Sequence, residues 1–233
     1  MILSTGCSWT YGTGVKPSET YSAHLQNKLG TQVINAGAAG TDIEYSVWTT
    51  YRLVKEYDVK LVLFQLTTLD RMTFATNGKT NFINNVYHNG ATQDLFVEDN
   101  TNIRFYGIGD NKIDYITVAS YLDAVKGRDE KSNAIKYFNE NVVFSNLKQE
   151  KISMQLQMLK EYLKTKDINI VFFPWLPWHA EFSNTLDPVD IRTDCVTEFL
   201  GNGYYIDNGF HVSNEGHKIV AEDYIMPMIK DYV

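Results

Sequence analysis

Short apolar runs alternate with amphipathic stretches through most of this chain. Residues 1–5 are apolar and end at Gly6, which predicts a buried strand entering a loop. Residues 7–18 are rich in Ser, Thr and Gly and read as that loop. Tyr21, Leu25 and Leu29 then recur at helical spacing, and Gly30 stops the helix. A second short strand follows over 32–36, then a tight loop Gly37-Ala38-Ala39-Gly40. Thr41 with Glu44 forms a capping-box pattern, and Ile43, Val47, Tyr51 and Val54 give one helical face behind it. Leu61-Val62-Leu63-Phe64, inside 60–66, is a continuous apolar run suited to a central parallel strand.

This β-α-β-α-β order implies a parallel sheet with right-handed crossovers. Regularity fades over about 70–145, where Asn, Tyr, Thr and Gly dominate. That stretch reads as an insertion beside the sheet, with short strands or a hairpin near 102–106. A helix resumes at Leu147 with Ile152, Leu156, Leu159 and Leu163 as its buried stripe, and ends near Lys166. Residues 168–173 form a fourth core strand, and the two prolines in 174–179 make the next segment a loop. Residues 204–206 are a candidate fifth strand. Ser213 can cap a last helix carrying Val220, Ala221, Tyr224 and Ile225, which Pro227 kinks or ends. The expected fold class is three-layer α/β/α, flavodoxin-like, with a mostly parallel sheet of about five strands and an irregular insertion, in one domain over 1–233.

Composition narrows the function classes. With 233 residues there is enough chain for one well-filled α/β core. A net charge of -7 with no basic run argues against a nucleic-acid partner, because phosphate neutralisation needs clustered Lys and Arg. Cys7 and Cys195 are too few for a disulfide framework or a zinc cluster and read as small buried hydrophobes, with a single bridge between them left open. No apolar run reaches the roughly 18 residues of a membrane helix. The N-terminus lacks the basic region of a signal peptide, so the expected location is cytoplasmic, or within an assembly released without a leader.

In an open parallel sheet the binding crevice lies at the carboxyl ends of the strands. The loops leaving those ends are 6–14, 37–41, 67 onward and 174 onward, and the segment 207–211 can reach the same edge. Ser8 follows the first strand between glycines, where it can expose its hydroxyl and aim its own N–H at an oxyanion, or serve simply as a turn residue. His211 is a candidate base for it, or a structural imidazole. Trp175, Trp178 and His179 form a pocket wall or a packed aromatic loop. Asp70-Arg71 offers an ion pair, while His24 and His88 read as surface residues. The glycines at 6, 12 and 14 match neither a P-loop nor a dinucleotide fingerprint, which weakens a nucleotide- or flavin-binding reading.

The segment Gly6-Cys7-Ser8-Trp9-Thr10-Tyr11-Gly12, with Asn35-Ala36-Gly37 and His211-Val212-Ser213-Asn214-Glu215-Gly216-His217, resembles the SGNH (GDSL-like) hydrolase superfamily. The resemblance implies Ser8 as nucleophile, His211 as base, and the Ser8 and Gly37 N–H groups as oxyanion donors. Three positions depart from the family pattern. Cys7 replaces the first block's Asp. The third block reads Thr67-Thr68-Leu69-Asp70, so its Asn has become Leu69 and Thr67 or Thr68 would donate instead. The Asp three residues before the His is Asn208, which can orient the imidazole through its side-chain carbonyl; the alternative is that Asp207, one residue earlier, supports His211 through a bulged turn. The implied activity is a serine esterase or acyl hydrolase that deacetylates a carbohydrate, with a small-molecule or glycan ester as substrate. No metal or organic cofactor is implied, and no nucleic-acid or membrane partner. The alternative is a glycan-binding module on the same fold with weak or lost catalysis.

Overall fold

A computed structural model describes residues 1–69, 71–76, 87–89, 96–99, 102–105, 114–119, 146–177, 194–206 and 211–233; for 72–76, 87–89, 96–99, 102–105, 114–119 and 146 it describes backbone alone. The chain opens as expected: β1 (Ile2–Gly6), α1 (Ser8–Tyr11), α2 (Tyr21–Leu29), β2 (Val33–Gly37), α3 (Ile43–Glu56) and β3 (Leu61–Leu66). β1 lies between β2 and β3 and runs parallel to both, with Ile2 opposite Val33 on one side and Leu61 on the other. The chain therefore reverses its direction of travel across the sheet at β1, which opens a crevice above the β1 and β3 ends.

The expected irregular insertion contains strands: β4 (Arg71–Thr76), β5 (Tyr87–Asn89), β6 (Phe96–Asp99), β7 (Asn102–Phe105) and β8 (Asp114–Ala119). Thr73 and Phe74 of β4 pair with Thr117 and Ile116 of β8, and both strands carry the β-branched and aromatic content that favours pleated backbone. β4, β8 and β5 form a separate antiparallel sheet. β6 and β7 form the hairpin expected near 102–106, and β7 joins β2 in parallel.

The rest of the chain supplies α4 (Asn146–Lys164), β9 (Asn169–Pro174), α5 (Val196–Leu200), β10 (Tyr205–Ile206) and β11 (His211–Val212). A final helix, α6, starts at Asn214–Ile219, passes through a π-helical stretch Val220–Ile225 and ends as Met226–Ile229. The main sheet has the order β6-β7-β2-β1-β3-β9 and is parallel except for β6. One expectation is corrected here. Residues 205–206 do not add a fifth strand to that sheet but pair antiparallel with β11. The segment is two residues long and folds back onto its nearest neighbour in sequence, closed by the Ser213 N–H on the Tyr204 carbonyl at 2.8 Å. The fifth parallel strand is β7.

Alternation along the strands builds two apolar layers. Leu3, Ile34, Val62, Phe64, Ile170 and Phe172 face α3 and α4. Ile2, Val33, Leu61, Leu63, Val171 and Phe173 face α2, α5 and α6. This is the three-layer α/β/α arrangement. Ser213 caps α6 as expected, accepting from the Gly216 N–H at 3.2 Å. The cap of α3 is displaced by one residue: Asp42 Oδ1 accepts from Tyr45 N–H at 2.8 Å, and Thr41 Oγ1 instead donates to the Ala38 carbonyl. Glu44 is thereby released from any capping box and pairs with Lys151 of α4 at 2.7 Å. Cys7 and Cys195 are both buried and free. No helix among the described residues is long and apolar enough to cross a membrane.

Candidate functional site

Ser8 is the first residue of α1, two residues past the end of β1, and is half-buried. The helix N-cap, Cys7, contributes no side-chain cap. Its N–H is instead accepted by Gln65 Oε1 of β3 at 2.9 Å, and the same oxygen accepts from Thr10 Oγ1 at 3.2 Å. Thr10 Oγ1 also meets the Tyr21 hydroxyl at 3.0 Å, which meets Ser4 Oγ at 2.5 Å. Burial pushes the Tyr21 phenol up to about 12, so it stays a neutral hydroxyl within this chain of contacts. From the other side Asn35 Nδ2 donates to the Thr10 carbonyl at 2.8 Å. α1 is therefore held from below by β2, β3 and α2. Two glycines make this approach sterically allowed. A Cβ on Gly6 would stand 2.4 Å from both Gln65 Oε1 and Thr10 Oγ1, and one on Gly37 would stand 2.3 Å from the Tyr11 nitrogen.

The loop after β2 lies beside this turn, since the Ala38 N–H donates to the Gly6 carbonyl at 3.0 Å. The loop turns at Gly40, whose φ is 79°. Among the described residues, neither the Ser8 N–H nor the Gly40 N–H has an acceptor. Arg71, 8% exposed, donates from Nη1 to the Thr41 carbonyl and to Thr67 Oγ1, both at 3.4 Å. It thus ties the loop after β2 to the loop after β3. The buried Lys148 of α4 donates to the Leu69 and Arg71 carbonyls. α1 packs against β11, which brings the Ser8 and His211 elements together. His211 is half-buried; its burial, and secondly the charge of Arg71, hold its imidazole below the ordinary histidine range. That direction favours the neutral imidazole, the form able to accept a proton.

Among solved structures, TesA aligns with this chain at TM-score 0.56 and 13% identity, covering 100% of this chain and 99% of its own. The chain has the fold of the SGNH hydrolases. A lipolytic protein of the G-D-S-L family from Desulfitobacterium hafniense DCB-2 aligns at TM-score 0.49 and 13% identity, over 97% of this chain and 98% of its own. No family model matches the sequence, and no curated protein matches it.

Within this SGNH-type fold the expected site residues separate. Ser8, His211, Thr67 and Thr68 lie on the loops and short elements at the carboxyl edge. Thr67 is fully buried with its hydroxyl on Arg71, whereas Thr68 is half-buried. Two expectations are corrected. The Gly37 N–H does not face the crevice: it donates to Asn35 Oδ1 at 3.0 Å, and α1 covers the residue. Trp175 is no pocket wall: it is 0% exposed and stacks on Trp9 with ring centroids 5.5 Å apart and planes 5° from parallel. Leu69 turns into the apolar layer over α3 and α4. Trp178, His179, Asp70, Asp207 and Asn208, together with the His88 side chain, lie outside the described residues. His24 is half-buried and meets Asn214 Oδ1 at 3.0 Å, tying α2 to α6. Among the described residues there is no cluster of His, Cys, Asp and Glu able to hold a metal.

Sequence reasoning passed over Gln65, Thr10, Gly40 and His217 as site or supporting residues. Gln65 had a signal: a polar residue interrupting an apolar central strand. His217 is buried, and its Nδ1 accepts from the Tyr21 N–H at 3.3 Å, a tertiary cap on α2 that no local pattern announces.

Proposed function

We propose that the chain is a serine hydrolase of acyl esters, with Ser8 as nucleophile and His211 as base. The observation that carries this reading is the packing of α1, led by a half-buried Ser8, against β11, led by a half-buried His211 whose burial favours the neutral imidazole. Ser8 Oγ attacks the ester carbonyl carbon while its proton passes to His211, and the carbonyl pair moves onto oxygen. The Ser8 N–H, the Gly40 N–H and the Thr68 hydroxyl serve as donors to that oxyanion; the two amides are supported by their lack of other acceptors among the described residues. Collapse of the intermediate expels the alcohol, which takes the proton from His211. Water then attacks the acyl-Ser8 carbonyl with His211 again accepting a proton; collapse breaks the acyl–Oγ bond, Ser8 Oγ takes that proton back from His211, and the acid leaves. Asp207 supports His211 in this reading. The alcohol is a carbohydrate and the acyl group acetyl.

The test is p-nitrophenyl acetate hydrolysis by wild type and Ser8→Ala, followed by O-acetylated oligosaccharides. Turnover confined to the wild type supports the reading. Equal rates in the two proteins would refute it. Leu69 in place of a third-block Asn favours a second reading, a glycan-binding module with weak catalysis. That reading expects unmodified oligosaccharide to bind both proteins and no Ser8-dependent turnover.

A further inference from the structure

We propose that Gln65 is a positioning residue for the nucleophile: it fixes the Gly6–Cys7 peptide and the Thr10 side chain, the two ends of the turn that carries Ser8, so that the Ser8 N–H and Oγ both face the crevice. The proposal rests on Ser8 being the nucleophile. Gln65 is fully buried near the carboxyl end of an otherwise apolar strand, where a polar side chain is stable only if its hydrogen bonds are made. They are made toward the nucleophile. Its Oε1 accepts from the Cys7 N–H at 2.9 Å and from Thr10 Oγ1 at 3.2 Å, and its Nε2 donates to the Leu66 carbonyl. One oxygen on β3 thus grips both ends of the Cys7–Thr10 turn that carries Ser8.

This grip replaces the local one that α1 lacks. Cys7 caps α1 with no side-chain oxygen, and α1 has four residues, too few to fix its own first turn. Gly6 is shaped to the same contact, because any Cβ there would collide with Gln65 Oε1 and Thr10 Oγ1. When Ser8 Oγ bonds to the carbonyl carbon, its proton moves to His211 and the negative charge collects on the carbonyl oxygen. The Ser8 N–H meets that charge only in the transition state and the intermediate. Loss of the Gln65 contacts would free the Gly6–Cys7 peptide and Thr10, let the turn shift and withdraw the Ser8 donor without altering ground-state binding, so the loss should fall on kcat and spare KM.

Tyr21→Phe supplies the contrast. It removes a hydroxyl from the same buried chain, between Ser4 and Thr10, with no bond to the Cys7 peptide. The experiment compares wild type, Gln65→Leu, Gln65→Met, Tyr21→Phe and Ser8→Ala. It reads kcat and KM for p-nitrophenyl acetate, the rate of Ser8 labelling by a fluorophosphonate, and the thermal midpoint. All rates are taken well below the midpoint. The expected result is a fall of about 100-fold in kcat for Gln65→Leu, with KM within about twofold and labelling slowed in parallel, as a misaimed oxyanion donor requires. Tyr21→Phe should lower the midpoint and keep kcat. If Gln65→Leu fails to fold, Gln65→Met carries the same expectation. A Gln65 variant that is folded and keeps wild-type kcat and labelling overturns the positioning role while leaving Ser8 in place. If Ser8→Ala turns over like wild type, or wild type neither turns over nor labels at Ser8, the nucleophile assignment fails and the positioning role falls with it.

Discussion

Replacing Trp175 with alanine should unfold the protein far more easily than it alters substrate binding. The side chain is 0% exposed, stacked on Trp9 at 5.5 Å and tilted against Tyr21 at 6.3 Å. A buried tryptophan removes about 150–250 Å² from water, which at about 25 cal/mol per Å² is worth about 4–6 kcal/mol. Alanine retains a small part of that, and Trp→Ala changes in cores cost about 3–5 kcal/mol. We take about 4 kcal/mol, which for a chain of this size lowers the thermal midpoint by about 8–16 °C. Trp175→Phe should be much milder, at about 1 kcal/mol, because it keeps most of the ring and deletes an Nε1–H that has no acceptor among the described residues. Urea and thermal unfolding followed by circular dichroism give both values. A Trp175→Ala protein less than about 1 kcal/mol destabilised but raised severalfold in KM would refute the reasoning and return Trp175 to the pocket wall, since core burial requires a loss near the transfer energy.

The remaining predictions concern the crevice. His211 is held below its ordinary value by burial and then by Arg71, so the acid limb of ester hydrolysis should fall below pH 6.5, and Arg71→Gln should move that limb upward in the pH–rate profile. The same shift has a sign for stability: below pH 6.5 the unfolded chain binds the proton more readily than the folded one, so the His211 contribution is complete above that pH and is lost as pH falls through the folded value. Equilibrium unfolding of His211→Gln across that window should show a flatter pH dependence. Gly37→Ala should cost about 1–3 kcal/mol or more, because its Cβ would meet backbone atoms of Thr10 and Tyr11, and it should depress activity by displacing α1. Asp207→Asn should reduce kcat by up to about 10^4-fold if it supports the imidazole, with Asn208→Ala nearly silent; the reverse ranking would assign the supporting role to Asn208.

The three-layer core was legible because its signals are local and periodic. Apolar runs at 2–3, 33–34, 61–64 and 170–173 bury alternate side chains on two faces, and each became a parallel strand. The loop serine and the distant histidine were also legible, since strand-end loops of such a sheet must share one edge. What the pattern could not show was direction. The Gly37 N–H has no preferred partner in sequence, yet Asn35 two residues back folds its side chain over to accept it. Trp175 follows a proline and borders a loop, which suggests exposure; a second tryptophan, 166 residues earlier at position 9, stacks on it and takes it into the core. The strand pairing at 205–206 was misassigned for a similar reason: two residues carry no periodicity, so their partner is decided by chain reversal at 211–212.

Buried polar residues in central strands offer a more direct route to such a site than loop motifs do. Ser4, Asn35 and Gln65 interrupt β1, β2 and β3, three adjacent strands, and all are buried. An unpaired polar group there would cost about 1–3 kcal/mol, so each needs a partner. Each finds one in the helices over the carboxyl edge: Ser4 in Tyr21, Asn35 and Gln65 in Thr10. Thr10 is thereby tied to two strands and, through the Tyr21 hydroxyl, to α2, all within two residues of Ser8. An isolated four-residue helix has no stability of its own, so the rigidity of the Ser8 backbone comes from the sheet beneath it. Interruptions that weaken a strand as a hydrophobic element are retained where the next layer has backbone that must be held still. Ser4 and Asn35 stand level in adjacent strands and Gln65 lies two residues nearer the carboxyl edge, where chemistry is placed.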